Sequence, residues 1–344
     1  MKGNDQLPPP FPPSWINRLI QTIDRLPGPT WVAYAAATAP AVLLAIWSDR
    51  FQPPSALAGS AAYGAALTFF PIALIHYLDG VARKCLNRFR PAISLSQSEA
   101  ERLSYELTTL PRGSSRAVSL LGAGLAVVGL LVSPEEMLGP PGMPVVLSVL
   151  GFAGALFVYM SFALLFYHTI RQLRLVSLIH ARATTVNLLQ PQPLYAFSNL
   201  TLPTAVALVL LSYYVIAVGS GAAMGPATLG LLAINLILSV VLFTLPLYGM
   251  HARLRDEKER LMSAVSSRIE GVLNGIHRSL EEPAAGDIDT LNKGLASLLL
   301  ERDLIAKSPT WPWSPGTLRA FASSVLLPIV LFFVTLILER WIGT

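Results

Sequence analysis

The stretch VVLSVLGFAGALFVYMSFALLFYH, residues 145–168, contains no acidic or basic side chain other than its final histidine. At a rise of roughly 1.5 Å per residue, an α-helix of this length crosses the hydrocarbon core of a bilayer, which is about 30 Å thick. Six further apolar runs approach this length. The predicted spans are 31–48, 60–78, 117–133, 145–168, 202–219, 227–249 and 318–338. The sequence therefore predicts an all-α polytopic membrane protein with seven transmembrane helices.

The composition agrees with a membrane fold. Of the 344 residues, 53% are hydrophobic and 13% are charged, and this charged share is about half of that in an ordinary soluble domain. The net charge of +5 arises from basic residues beside the spans, which membrane topology and anionic lipid headgroups explain. The lipid bilayer is therefore the expected partner, and nucleic acid is not. The single cysteine, Cys85, excludes an intramolecular disulfide.

Lysine and arginine are concentrated in alternate connections between the spans. Seven lie between spans two and three, three lie between spans four and five, and ten lie between residues 253 and 319. By contrast, residues 133–144 carry only acidic charges and residues 219–226 carry none. Positive charges near span ends resist translocation. We therefore expect a multi-pass protein of a plasma or inner membrane, with a cytoplasmic amino terminus and an external carboxyl terminus.

Residues 1–29 are predicted to form a cytoplasmic proline-rich segment and an interfacial amphipathic helix. After Ser14, apolar side chains recur on one helix face, while Asn17 and three further polar residues lie opposite. This pattern is typical of a helix in the membrane interface, where Trp15 would act as an anchor. The apolar face consists of Trp15, Ile16, Leu19, Ile20, Ile23 and Leu26.

The next domain, 30–249, is predicted to be a six-span membrane bundle with cytoplasmic helical connections. Between spans two and three, Ser98 and Glu101 have the spacing of a capping box and predict the start of a helix. Span three contains three glycines whose small size suits close packing against a neighbouring helix. These are Gly122, Gly124 and Gly129.

Residues 250–316 are predicted to form a cytoplasmic antiparallel helical hairpin between spans six and seven. Apolar residues recur at three- and four-residue intervals in two segments, which are separated by a turn at 282–287. The two coiled-coil-like seams could pack within one chain or between subunits, so the sequence leaves undecided whether the protein forms a homo-oligomer. Trp311 and Trp313 are expected at the membrane interface, and 317–344 supplies the seventh span and a short external tail. The seam residues are Leu254, Leu261, Val265, Ile269, Val272, Ile276 and Leu280, then Ile288, Leu291, Leu295, Leu298 and Leu299.

The interior of the predicted spans holds few polar groups. No Asp, Glu, Lys or Arg falls in the middle of a predicted span, which disfavours a proton-driven pump or carrier. The remaining hydroxyl and amide groups are candidates either for interhelical hydrogen bonds or for the lining of a pore. A proline in span seven would kink the helix and could act as a gate. These candidate residues are Asn235, Ser239, Ser323, Ser324 and Pro328.

Three histidines fall near the predicted cytoplasmic ends of spans two, four and six. They are His76, His168 and His251, and Asp79 follows the first of them. Folding could gather these residues into a metal or pH-sensing site, or they could be interfacial histidines without a ligand role. No H-x-x-x-H or C-x-x-C spacing supports a metal ion, so we expect no cofactor.

The catalytic motifs of common enzyme families are missing from the sequence. It contains no P-loop, nucleophile elbow, zinc-protease motif or dinucleotide fingerprint in a suitable context, so we do not expect an enzyme. We prefer a membrane-embedded sensor or scaffold that acts through its cytoplasmic helices and a cytosolic protein partner, because this function requires no pore. Two alternatives are an oligomeric ion channel or channel-like receptor with span seven lining the pore, and a transporter of a small neutral or apolar solute.

Overall fold

The computed structural model describes residues 9–51, 64–93, 96–181, 195–219, 226–281 and 288–342. Within these ranges the chain is all-helical and forms no β-strand. The helices are α1 (Trp15–Asp24), α2 (Thr30–Ser48), α3 (Phe70–Phe89), α4 (Gln97–Thr108), α5 (Arg112–Val132), α6 (Pro134–Leu138), α7 (Val145–Ala181), α8 (Ser198–Gly219), α9 (Pro226–Glu281), α10 (Ile288–Lys307) and α11 (Pro315–Ile342). Residues 60–63 of the second predicted span, most of the connection 219–226 and the predicted turn at 282–287 lie outside the described residues.

Five helical segments are long and apolar enough to cross a membrane, and they coincide with predicted spans one, two, three, four and six. Large apolar side chains on these helices are exposed, for example Leu120 on α5 and Val145 on α7. Extensive exposed apolar surface marks a membrane-facing protein. The protein is therefore an integral membrane protein. The five segments are Thr30–Phe51, Gly64–Phe89, Arg112–Val132, Val145–Ile179 and Ala233–Glu281.

The other two predicted spans also fall on helices. Predicted span five lies on α8, whose described apolar part is Ser198–Leu211. Predicted span seven lies on α11, where the backbone is helical through Pro328. The crossing of the membrane by these two helices stays a prediction.

The second membrane helix differs from its prediction. α3 begins at Phe70 with Pro71 in its first turn, where no N–H is needed, and continues to Phe89. The hydropathy pattern ends the span at residue 78, one residue before Asp79. In the structure Asp79 lies at the middle of α3, within a helix that can cross a membrane, and it is buried. The absence of charged residues from the middle of the predicted spans stays a prediction, whereas the helix of span two extends past its predicted end at residue 78 and includes Asp79.

α1 packs on other helices through its apolar face. Ser14 caps the helix, because its Oγ accepts from the Asn17 N–H at 3.4 Å. Ile16 is completely buried in a cluster with Ile72 and Leu164. Asn17, predicted on the polar face, is also buried. The position of α1 at the membrane interface stays a prediction, whereas its apolar face belongs to the protein core.

α4 begins two residues earlier than predicted. Its capping box consists of Ser96 and Glu99, not Ser98 and Glu101. The Glu99 N–H donates to Ser96 Oγ at 3.3 Å, and the Ser96 N–H donates to the Glu99 carboxylate at 2.9 Å. The sequence contains two overlapping S-x-x-E pairs. The earlier pair supplies hydrogen-bond partners for backbone N–H groups at the amino terminus of a helix that starts at Gln97.

α9 continues without a break from the membrane domain into a long extension, against which α10 packs in antiparallel order. Near the start of the extension, Lys258 Nζ donates to the Ser308 carbonyl at 2.8 Å. Near its end, Gly275 faces the Leu291 side chain. A cation beside the last carbonyls of a helix is favourable. We call residues 250–281 of α9 together with α10 the arm.

The buried contacts within the arm follow the predicted seam in part. Val265 of α9, a predicted seam residue, and Ile305 of α10, which is outside the predicted seam, are buried. Leu254, also predicted in the seam, is buried in a cluster with residues of α3, α7 and α8. Leu280 and Leu299, predicted in the seam, are instead largely exposed. Spacings of three and four residues fit more than one neighbouring helix face, and the packing of the two helices selects one of them.

α5 and α7 approach each other closely at Gly122. A Cβ atom at this position would lie 2.7 Å from the Tyr159 carbonyl oxygen and 2.8 Å from Met160 Cα. Both are backbone atoms, which cannot rotate away as a side chain does. A Cβ atom at Gly124 would have no atom within 4 Å. Of these two predicted packing glycines, Gly122 therefore makes the close contact.

We expect Gly122→Ala to destabilise the protein by roughly 1–3 kcal/mol, because the added methyl group forces α5 and α7 apart. Gly124→Ala is the matched control and should have little effect. Thermal unfolding of both variants in lipid nanodiscs measures the difference. Equal melting temperatures for the two variants would contradict the close approach.

Candidate functional site

The structure joins Asp79 on α3 to His168 on α7. Nε2 of His168 lies 2.9 Å from Oδ1 of Asp79, and the two residues are 0% and 1% exposed. Gln172, one turn later on α7, donates to the Leu107 carbonyl at 3.1 Å and lies 3.5 Å from Asp79 Oδ1. Neither ring nitrogen of His168 makes a hydrogen bond of good geometry with the described residues, so the Nε2–Oδ1 contact is an ion-pair distance. We call Asp79, His168 and Gln172 the buried polar cluster.

The periodicity of α3 explains why Asp79 points into the protein. Ile75, Leu78 and Ala82 are completely buried, and Asp79 shares their three- and four-residue spacing on one helix face. A carboxylate removed from water requires a partner, because burying an unpaired charge is very costly. His168 on α7 supplies that partner. Helical geometry and electrostatics therefore agree on the same orientation of α3.

His76 lies one turn before Asp79 on α3 and has different partners. Its Nε2 is 3.1 Å from Oδ1 of Asp24 on α1, and its Nδ1 is 3.1 Å from the Tyr34 hydroxyl on α2. The Asp24 side chain is 46% exposed, so this contact reaches the protein surface. His76 is therefore part of α3 and His168 packs against the same part of this helix, but each histidine pairs with its own carboxylate.

The connection between α4 and α5 lies beside the buried polar cluster. Its buried backbone groups need hydrogen-bond partners. Asn17 on α1 is the partner of two of these backbone groups. Its Oδ1 accepts from the Leu110 N–H at 2.9 Å, and its Nδ2 donates to the Thr108 carbonyl at 3.1 Å. Arg171 on α7 donates to the Thr109 carbonyl at 3.0 Å. Side chains from two helices therefore hold this connection in place.

The proline-rich segment before α1 packs on the same connection. The Ser14 N–H donates to the Leu110 carbonyl at 3.1 Å, and the Tyr105 hydroxyl donates to the Phe11 carbonyl at 2.8 Å. Burial raises the pKa of Tyr105, so the hydroxyl keeps its proton at neutral pH. The Arg171 guanidinium lies 5.3 Å from the centre of the Phe11 ring, within cation–π distance. The segment is therefore part of the fold.

His251 belongs to a separate aromatic stack at the base of the arm. Its ring lies 3.9 Å from that of Trp311, and the Trp311 ring lies 4.4 Å from that of Trp313. Phe243 continues the stack at 5.5 Å from Trp313. The structure therefore does not gather the three predicted histidines into one site. In the part of the chain that is described, no three His, Cys, Asp or Glu side chains could together hold a metal ion.

The three predicted interface tryptophans all pack against protein groups. Trp15 Nε1–H donates to Ser119 Oγ on α5 at 3.1 Å, and its ring lies 6.2 Å from that of Phe157. Trp311 stacks between His251 and Trp313, and Trp313 also stacks on Phe243. Contact with lipid headgroups stays a prediction for these residues.

The predicted pore residues mainly bond to backbone carbonyls. Asn235 Nδ2 donates to a carbonyl of α8 at 3.0 Å, which is an interhelical bond. Ser239 and Ser324 each donate to a carbonyl of their own helix, at 2.8 and 2.7 Å. Ser323 is exposed on α11, and the side chain of Pro328 lies outside the described residues. Among these five residues, the structure shows an interhelical bond for Asn235.

Comparisons with protein-family models, with curated proteins and with solved structures find no match to this chain. The function is therefore inferred from the chain's own residues. Four site residues escaped prediction from the sequence, namely Asn17, Asp24, Arg171 and Gln172. The spacing of His168 and Gln172, four residues apart, was the available signal, because it places both on one helix face.

We expect Asn17→Ala to lower the melting temperature, because it leaves the Leu110 N–H and the Thr108 carbonyl without their side-chain partner. Buried groups that lose a partner cost about 1–3 kcal/mol. Gln21→Ala, at an exposed position of the same helix, is the control and should change little. Thermal unfolding in nanodiscs compares them, and an Asn17→Ala protein as stable as Gln21→Ala would show that Asn17 is not needed to hold the connection.

Proposed function

We propose that this membrane protein has seven spans and a cytoplasmic amino terminus, and that it acts as a sensor or scaffold through its cytoplasmic helices. The observation that carries this proposal is α9, a single helix of 56 residues. It begins in the membrane domain and ends in the arm. α9 joins the membrane bundle to the arm as one continuous helix, with Pro246 as a site where it can bend shortly before the arm begins.

The charge distribution supports the seven-span topology. With the arm in the cytoplasm, all ten basic residues between 253 and 319 lie on the inner side, as the positive-inside rule requires. α8 has 22 residues and α11 has 28. At roughly 1.5 Å per residue, both are long enough for a hydrocarbon core of about 30 Å.

The arm offers a surface for a cytosolic partner. α10 packs on α9 and makes no comparable contact with any other described helix. Leu300 and Leu304, one turn apart on α10, are 62% and 52% exposed. Lys293 and Lys307, each in an ion pair on α10, lie on either side of them along the helix. Apolar contacts within a charged rim are typical of a protein interface.

The polar residues of the membrane domain favour a scaffold over a channel. A pore needs polar groups that are available to a passing ion. Asn235, Ser239 and Ser324 instead donate to backbone carbonyls of the protein. The channel and the transporter therefore rank behind the sensor or scaffold.

The topology is tested with single cysteines in a Cys85→Ala protein. Leu138→Cys, between α5 and α7, should react with a membrane-impermeant maleimide from the outside of intact cells. Leu300→Cys, on the arm, should react only after the membrane is permeabilised. Both positions are exposed, so access and not burial decides the result. Labelling of both positions from the same side would contradict the proposed topology.

The scaffold function is tested by cross-linking and by ion flux. A photo-cross-linking residue at Leu300 should capture one defined cytosolic protein in cells, and Leu304→Glu in the same chain should reduce this capture. A photo-cross-linking residue at Leu138, on the proposed outer side, is the control and should not capture it. Purified protein in liposomes should conduct no ions.

Two results would overturn the scaffold function. A symmetric oligomer by native mass spectrometry, with ion flux that Asn235→Leu abolishes, would favour the channel. Stabilisation by one small neutral solute in a thermal assay, without any captured partner, would favour the transporter.

A further inference from the structure

We propose that the buried polar cluster is a proton-binding site, in which the bound proton resides on Nδ1 of His168. The site lies between α3 and α7, apart from the arm, and does not depend on the scaffold function. It would supply the proposed sensor with a stimulus, namely the proton concentration.

The geometry of the pair selects the nitrogen that accepts the proton. Nε2 of His168 lies 2.9 Å from Oδ1 of Asp79. Beside an ionised carboxylate, Nε2 carries the hydrogen of the neutral ring, and Nδ1 then carries the lone pair. Both ring nitrogens are buried and neither makes a hydrogen bond of good geometry within the described part of the chain, but only Nε2 has the carboxylate at ion-pair distance. Buried polar atoms without partners are rare and require an explanation, and a proton is a ligand that needs no cavity.

Proton uptake removes a buried net charge. Before uptake, an ionised Asp79 carboxylate and a neutral His168 ring together carry a charge of −1. A proton released from hydronium forms an N–H bond at Nδ1, and a water molecule remains. The pair then has no net charge, and no electron is transferred. A low-dielectric interior favours this neutral state over a buried negative charge.

The pair is a poor candidate for a purely stabilising contact. Buried ion pairs are often no more stabilising than apolar residues of similar size. Ionisable residues inside membrane domains commonly mark proton or ion sites. Asp79 lies within a helix that can cross a membrane, so both considerations favour proton binding.

The groups around the pair set its proton affinity. Arg83 and Arg171 carry positive charges that act on Asp79 and therefore oppose uptake. Arg83 is exposed, so water screens its effect, and Arg171 donates to the Thr109 carbonyl. α8 contains no acidic or basic residue, and Arg112 and Arg116 of α5 are exposed. Tyr34 of α2 and His76 of α3 also interact electrostatically with Asp79. Glu106 of α4 and Tyr167 of α7 interact with Arg171, and Asp24 of α1 interacts with Tyr34.

The direct test is nuclear magnetic resonance of the full chain with ¹⁵N only in its histidines, in lipid nanodiscs. The chain has five histidines, and His168→Gln identifies the signals of His168. Between about pH 9 and about pH 5, we expect the His168 ring to change from one protonated nitrogen, Nε2, to two. A ring that keeps a single protonation state over this range would overturn the proposal.

Asp79→Asn tests the role of the carboxylate. Loss of its charge should reduce the protonated fraction of His168 at a given pH by about tenfold or more, because a charged hydrogen-bond partner then becomes neutral. Asp303→Asn, at an exposed aspartate of the arm, should leave His168 unchanged. Identical titration of His168 in wild type and in Asp79→Asn would contradict a shared site.

A second measurement applies even where Asp79→Asn fails to fold. The melting temperature of the wild type should fall as the pH rises through the His168 transition, because the folded protein then loses a proton that neutralises a buried charge. His168→Gln should lack this fall. A transition that shifts with sodium or potassium concentration at constant pH would overturn the proton site in favour of a cation site.

Discussion

The contact between Asp79 and His168 fixes how α3 and α7 face each other. A buried carboxylate needs a partner, so α3 can adopt only those rotations about its axis in which Asp79 reaches α7. Ile75 and Leu78, which share this face, are completely buried in the same orientation. A polar contact and the apolar side chains beside it therefore specify one arrangement, which the apolar pattern alone would leave less well defined.

The backbone between α4 and α5 imposes a second constraint. Where a chain leaves helical structure inside a protein, its N–H and carbonyl groups lose their helical partners and must find others. Asn17 is suited to this task because its amide both donates and accepts, and it bonds to the Thr108 carbonyl and the Leu110 N–H. The amino-terminal segment is thus required to complete the membrane domain, although it precedes the first predicted span.

Local and non-local features differ in how well the sequence predicts them. Five helices that are long and apolar enough to cross a membrane overlap the spans that hydropathy predicts, although their ends differ, because the bilayer imposes length and polarity on each segment separately. The burial of Asn17 depends on residues 91 and 93 positions away, which periodicity does not encode. The grouping of Asp79 with His168 was accessible, since both fall near the same predicted end of the bundle, but nothing local separates them from His251. For the α4 cap, two S-x-x-E pairs are equivalent in sequence, and only the folded chain distinguishes Ser96 from Ser98.

The packing around the pair extends to the helix that forms the arm. Val176, two turns after His168 on α7, and Phe89, at the end of α3, are buried in one apolar cluster with Met250 and Leu254 of α9. These two residues lie where α9 becomes part of the arm. Because protein interiors are close-packed, a change in the spacing of α3 and α7 cannot be absorbed at the polar pair alone and must repack this cluster. Since α9 is a single helix to Glu281, this cluster is the physical connection between the surroundings of the polar pair and the base of the arm.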